Sequence, residues 1–139
     1  MRMCNETVTV YNARVDPATR MEVWFPTVLA GVSCFGERAG AAARNGMRAA
    51  DRFVLRIPEG ADAGGKRYAE PEEYRAAEDV DGLWTLRTGD VILRGACAEG
   101  LTPSRLRERF GPERVLSVVG VTDNRRAPRA RHWRVEGEF

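Results

Sequence analysis

The sequence predicts a mainly β protein with small helical insertions, folded as a small antiparallel β-barrel or sandwich. Three observations carry that expectation. Short segments alternate apolar and polar residues with period two, as in Thr7-Val8-Thr9-Val10-Tyr11-Asn12. Clusters of Gly, Pro, Asn and Asp punctuate them at short intervals. One stretch alone, around residues 102–110, carries a full set of helix signals.

Thr7 to Asn12 is rich in β-formers and reads as the first strand. Asp16-Pro17-Ala18-Thr19 follows as a turn, because proline presets φ and aspartate bonds its own downstream backbone. Met21 to Phe25 then returns as the partner of a hairpin. Val28 to Glu37 and Arg52 to Ile57 read as two further strands, the second ended by Pro58. Between them Asn45-Gly46 is a strong type I′ turn signal, flanked by small residues from Gly40 to Ala49. Arms so poor in large apolar side chains bury little, so a projecting hairpin is expected near residues 38–52.

Residues 58–68 read as a loop. Pro71 to Ala77 reads as a short helix, with proline at its first position and acids in its first turn. Trp84 to Leu86 and Asp90 to Arg94 are short strands around the hairpin-like pair Thr88-Gly89. The clear helix follows, with Thr102 as N-cap, Pro103 at the first position, a Leu101–Leu106 staple and a Gly111-Pro112 stop. Val115 to Val121 and Arg131 to Glu136 complete seven or eight strands.

At 139 residues the chain fits a single domain spanning 1–139. No apolar run approaches a membrane span, and the N-terminus lacks the apolar block of a secretory signal. A chain that stays inside the cell that makes it is expected. Cys4, Cys34 and Cys97 are odd in number and widely spaced, which argues against a disulfide framework and against zinc. Cys34 and Cys97 lie among apolar neighbours and read as small buried residues.

The net charge of +2 is unevenly spread. Glu59 to Asp81 holds eight acidic and three basic residues, a local net of −5, and Arg105 to Arg134 holds nine basic and three acidic, a local net of +6. Such asymmetry suits a nucleic-acid or acidic partner, or the meeting of one molecule's end with another end of its neighbour.

No catalytic constellation emerges, and the chain is expected not to be an enzyme. His132 is the single histidine and has no nucleophile in an elbow context beside it. Glu72-Glu73 and Glu78-Asp79 read as a solvated helix face. Gly64-Gly65-Lys66-Arg67 lacks the Ser or Thr of a phosphate loop. No cofactor or metal is expected.

The most distinctive stretch is Val121-Thr122-Asp123-Asn124-Arg125-Arg126-Ala127-Pro128-Arg129-Ala130-Arg131-His132-Trp133-Arg134. Five arginines fall within ten residues beside Trp133, after the turn formers Asp123 and Asn124, and Pro128 enforces extension before the last strand. Three readings stand together. The arginines can grip a nucleic-acid backbone while Trp133 stacks on bases. They can pair with acids on a neighbouring subunit. Or Asp123 with Arg125 or Arg126 locks the turn.

The segments Thr7 to Asn12, Val121 to Pro128 and His132-Trp133-Arg134-Val135, in that order, resemble a family of uncharacterised proteins encoded in bacterial phages and prophages. A looser likeness runs to the phage head–tail joining proteins, the connectors, adaptors and stoppers. Those are small β-barrels that carry a long projecting hairpin and assemble as a ring beneath the portal. Ala41 to Ala49 and the strand Arg52 to Ile57 match that hairpin and the strand after it; the two helical insertions are larger than such barrels need.

The resemblance implies a virion structural protein, a head–tail connector or minor tail component, found in the virion and in the host bacterial cytoplasm during assembly. It further implies a homo-oligomeric ring that docks to portal-side and tail-side phage proteins, with no cofactor and no membrane. Candidate contact residues are Arg44, Asn45, Gly46 and Met47 in the hairpin and Arg125, Arg126, Arg129 and Arg131 in the basic stretch. Asp123, Asn124, Pro128 and Trp133 are expected to shape the turn. The alternative is a nucleic-acid-binding small β-barrel that uses the same C-terminal Arg-rich segment.

Overall fold

The computed structural model describes residues 5–37 and 52–139. The segment that carries Arg44, Asn45, Gly46 and Met47, the expected projecting hairpin, lies outside the described residues. In chain order the described elements are β1 (Glu6–Val15), β2 (Glu22–Glu37), β3 (Arg52–Pro58), β4 (Arg67–Tyr68), α1 (Pro71–Ala76), β5 (Leu83–Trp84), β6 (Val91–Leu93), α2 (Pro103–Phe110), a 3-10 turn (Pro112–Arg114), β7 (Val115–Asp123) and β8 (His132–Glu138).

The protein is rich in β structure. Six strands form a closed antiparallel barrel in the order β1-β2-β3-β8-β7-β6, with β6 returning to pair with β1. β4 and β5 form a separate parallel pair. Closure satisfies backbone groups that an open sheet would leave along its edges.

β2 differs from the expectation of two strands. It runs unbroken through Pro26, first against β1 from Glu22 to Val32 and then against β3 from Ser33 to Glu37. The N–H and C=O of Ala30 both bond to Asp62, on the side away from β1. Pro26 lies four residues earlier and so points its nitrogen to that same side, where no ladder bond is wanted. Its carbonyl accepts a hydrogen bond there from Lys66 Nζ at 2.7 Å. Gly31 lies just before the change of partner, which falls between Val32 and Ser33. The register slips between Glu6 and Thr7 so that Gly31 is the extra residue, and its φ of 83° is one that glycine adopts freely.

A second correction concerns Thr88-Gly89. The turn forms, with the Asp90 N–H donating to Arg87 O at 3.1 Å and Gly89 at φ 97°. The flanking strands do not pair with each other. β5 joins β4 in parallel, while β6 lies between β1 and β7. The loop expected over 58–68 likewise contains the Ala30–Asp62 bridge and β4.

Strand alternation sorts the apolar residues into an inner and an outer set. Val8, Val10, Leu29, Leu55, Ile57, Ile92, Leu116 and Val135 fill the barrel, closed at one end by Trp84 and Trp133. Each such aliphatic side chain contributes about 1.5–3 kcal/mol when fully buried. Tyr11, Val91, Leu93 and Val115 face outward and are covered by Leu106 of α2. Ala69, Tyr74 and Val80 form a third cluster around α1, against Phe25 of β2. Helix α2 begins as its residues dictate: Thr102 Oγ1 accepts from the Arg105 N–H at 3.3 Å, Pro103 opens the first turn, and Gly111 at φ 94° ends it.

Candidate partner-binding surfaces

The basic turn joins β7 to β8. The Asn124 N–H donates to His132 O at 2.9 Å, and Asp123 pairs with Trp133 in the ladder below. Asp123 Oδ1 accepts from the Arg125 backbone N–H at 3.0 Å and from its Nε at 2.9 Å, and Oδ2 accepts from Nη2 at 2.6 Å. The same Nη2 reaches Glu70 at 2.8 Å. The guanidinium carbon lies 4.9 Å from the Tyr68 ring centre and 4.8 Å from that of Trp133. Hydrogen bonding from Arg125 holds the Asp123 carboxyl below the usual range. Arg125 thus locks its own turn, the third of the three readings.

His132 belongs to the same construction. Its Nδ1 lies 2.6 Å from Ala130 O. A carbonyl only accepts, so Nδ1 carries the proton and Nε2 accepts from Asn124 Nδ2 at 3.3 Å. Trp133 is 2% exposed, with its ring packed on Tyr68 and Trp84. The aromatic ring that base stacking would require is therefore in the core. Arg126, Pro128, Arg129 and Arg131 remain exposed at the tip of the turn. Arg131 Nε donates to Ala127 O, whereas Arg126 and Arg129 make no hydrogen bond or ion pair among the described residues.

The acidic and basic stretches lie side by side over part of their length. Besides Glu70–Arg125, the Glu59 N–H donates to Arg131 O at 3.0 Å. Glu73 pairs within its own segment with Arg67, which holds its carboxyl below the usual range. Glu78, Asp79 and Asp81 stay exposed beyond α1.

The second surface was not singled out from sequence. β6 covers β1 only from Thr9 to Tyr11, so the β1–β2 hairpin runs on past the barrel to Val15 and Glu22. The expected turn closes it: the Ala18 N–H donates to Asp16 Oδ1, and the Arg20 N–H to Asp16 O. Val15 is 63% exposed, Met21 68% and Val23 38%. A groove of about 440 Å³ there is lined by the apolar Val15, Pro17, Val23 and Phe25 and by the charged Arg14, Asp16 and Glu78. Arg14 is engaged, donating to Ala77 O at 2.6 Å. The available signal was apolar Val15 and Met21 immediately flanking a turn, where polar residues are usual.

The hairpin is held to the body by a buried polar network that sequence reasoning also missed. Asn12 Nδ2 donates to Thr85 O and to Asp90 Oδ2, each at 2.8 Å, and the Thr85 N–H donates to Asn12 Oδ1 at 3.2 Å. Arg87 Nη2 bridges Ala13 O at 2.6 Å and Asp90 Oδ1 at 3.2 Å. Burial raises the Asp90 carboxyl above its usual range, against the pull of Arg87 and Asn12. The signal was Asn12 itself, on the same strand face as Val8 and Val10.

Burial also pushes the half-buried Cys34 thiol up, away from the reactive thiolate. Cys97 is buried, as its neighbours predict. Among the described residues no three His, Cys, Asp or Glu side chains gather as a metal site, and no helix is long and apolar enough to cross a membrane.

The fold and these surfaces define a closed antiparallel β-barrel with two helical insertions and an apolar-ended hairpin. The chain belongs to the Family of unknown function (DUF6751), whose model matches residues 3–138. No curated protein and no solved structure matches it.

Proposed function

We propose that this chain is a structural protein of a phage or prophage virion, a head–tail connector or minor tail component. In this reading it binds further copies of itself in a ring and docks on portal-side and tail-side proteins, with no catalytic step and no cofactor. The observation that carries the proposal is the end of the β1–β2 hairpin, where Val15, Met21 and Val23 are exposed and Val15 and Val23 line a groove. Apolar side chains grouped at the end of a braced hairpin gain free energy only when another protein surface covers them. The occupant we assign is a second copy, because repeated use of one such contact builds a ring when its rotation closes. The sequence resemblance to phage-encoded proteins and to ring-forming joining proteins supports the same reading.

The test is the solution mass of the purified chain across concentration, with electron microscopy of the concentrated sample. The expected result is a mass that rises above the 15.5 kDa of one chain, with ring-shaped particles. Replacing Val15 and Met21 with Ser should lower the association while the circular dichroism spectrum stays unchanged. A single-chain mass at every concentration overturns the proposal.

A further inference from the structure

We infer that the groove beside the β1–β2 hairpin receives the basic turn of a second copy, with Arg126 and Arg129 of one molecule meeting Glu78 and Asp16 of the next. This rests on the self-association proposed above and names the two faces that meet.

Three observations lead to it. The groove is lined by apolar Val15, Pro17, Val23 and Phe25 together with the carboxylates of Asp16 and Glu78 and the guanidinium of Arg14. Glu78 makes no hydrogen bond or ion pair among the described residues, and Asp16 Oδ1 accepts only from its own turn. Arg14, the basic residue of the lining, donates to Ala77 O. That bond to a neutral carbonyl leaves the Arg14 charge in place, so one positive group against the two carboxylates gives the lining a net charge of −1 beside its apolar surface.

The matching shape is an arginine on a small apolar loop. Its three-carbon stem lies on apolar ground while its planar fork bonds a carboxylate. The basic turn offers that twice, as Arg126-Ala127-Pro128-Arg129, with both arginines exposed and neither paired among the described residues. Arg125 and Asp123 pin the base of this turn, and Arg131 holds its far side through Ala127 O. A turn held in place loses little freedom on docking. The two faces are different parts of the chain, so the contact is head-to-tail, the kind that propagates from copy to copy until a ring closes.

The experiment compares the solution mass of wild-type protein at low and high salt with that of three charge variants. These are Arg126→Glu with Arg129→Glu, Asp16→Arg with Glu78→Arg, and all four changes together. Wild-type association is expected to weaken as salt rises. Either one-sided reversal is expected to weaken it at least about tenfold. The four-fold variant, with the charges exchanged, is expected to recover most of the loss.

Association that is indifferent to both one-sided reversals overturns this inference and leaves the self-association intact. So does a four-fold variant as weak as the one-sided ones. A wild-type chain that never exceeds a single-chain mass overturns both.

Discussion

The Arg125 guanidinium lies 4.8 Å from the centre of the Trp133 ring and donates three hydrogen bonds, two to Asp123 and one to Glu70. Trp133 is buried at the closed end of the barrel. A surface turn is thereby tied through one side chain to the core, and to the acidic segment before α1.

Arg125→Ala should therefore loosen the turn and expose the Tyr68 and Trp133 rings. The expected cost is about 1–2 kcal/mol in urea unfolding. Arg125→Lys should recover less than half of it, since an ammonium cannot bond both Asp123 oxygens in the plane of a fork. The pH dependence has a fixed sign. Asp123 is held below its usual range in the folded state, so its contribution is present above that range and is lost as pH falls through the lowered value. The R125A chain should lose less stability between pH 5 and pH 3 than the wild type.

Asn12→Ala removes three buried hydrogen bonds at once and leaves the N–H and C=O of Thr85 without partners. A loss of about 2–4 kcal/mol is expected, measured by thermal or urea unfolding. The effect should be larger than any change at the exposed end of the same hairpin. If Asn12→Ala and Met21→Ser cost the same, the network does not anchor the hairpin.

Tyr74 is fully buried, yet its hydroxyl has no hydrogen-bond partner among the described residues. Tyr74→Phe keeps the ring under Arg87 and deletes the orphaned polar group, so it should be neutral or raise stability by about 1 kcal/mol. Burial pushes the Tyr74 hydroxyl up to about 12. The group stays neutral in the fold while the unfolded chain ionises near pH 10, so its contribution is lost as pH rises from there toward 12. The Phe variant should show a shallower loss of stability over pH 10–12. An unchanged alkaline slope would place the titrating group elsewhere.

Much of the architecture is written locally. Alternation in Thr7 to Asn12 and in β8, the Asp16-Pro17 turn, and Thr102 with Pro103 before α2 are each decided by near neighbours in the chain. Their physical causes, side-chain parity and backbone torsion, act over a few residues.

What those causes leave open is pairing. Nothing local says that β5 takes β4 and not β6, or that β2 changes partner between Val32 and Ser33, because ladder bonds join residues distant in sequence. The role of Pro26 follows only from knowing which edge of β2 is unpaired. The fate of the arginines is of the same kind. Five similar residues in one stretch divide into a turn lock at Arg125 and exposed groups at Arg126 and Arg129, because Asp123, Glu70 and Trp133 converge on one guanidinium and not the others. Charge is a property of the residue; whether it is spent inside the fold depends on what the fold brings beside it.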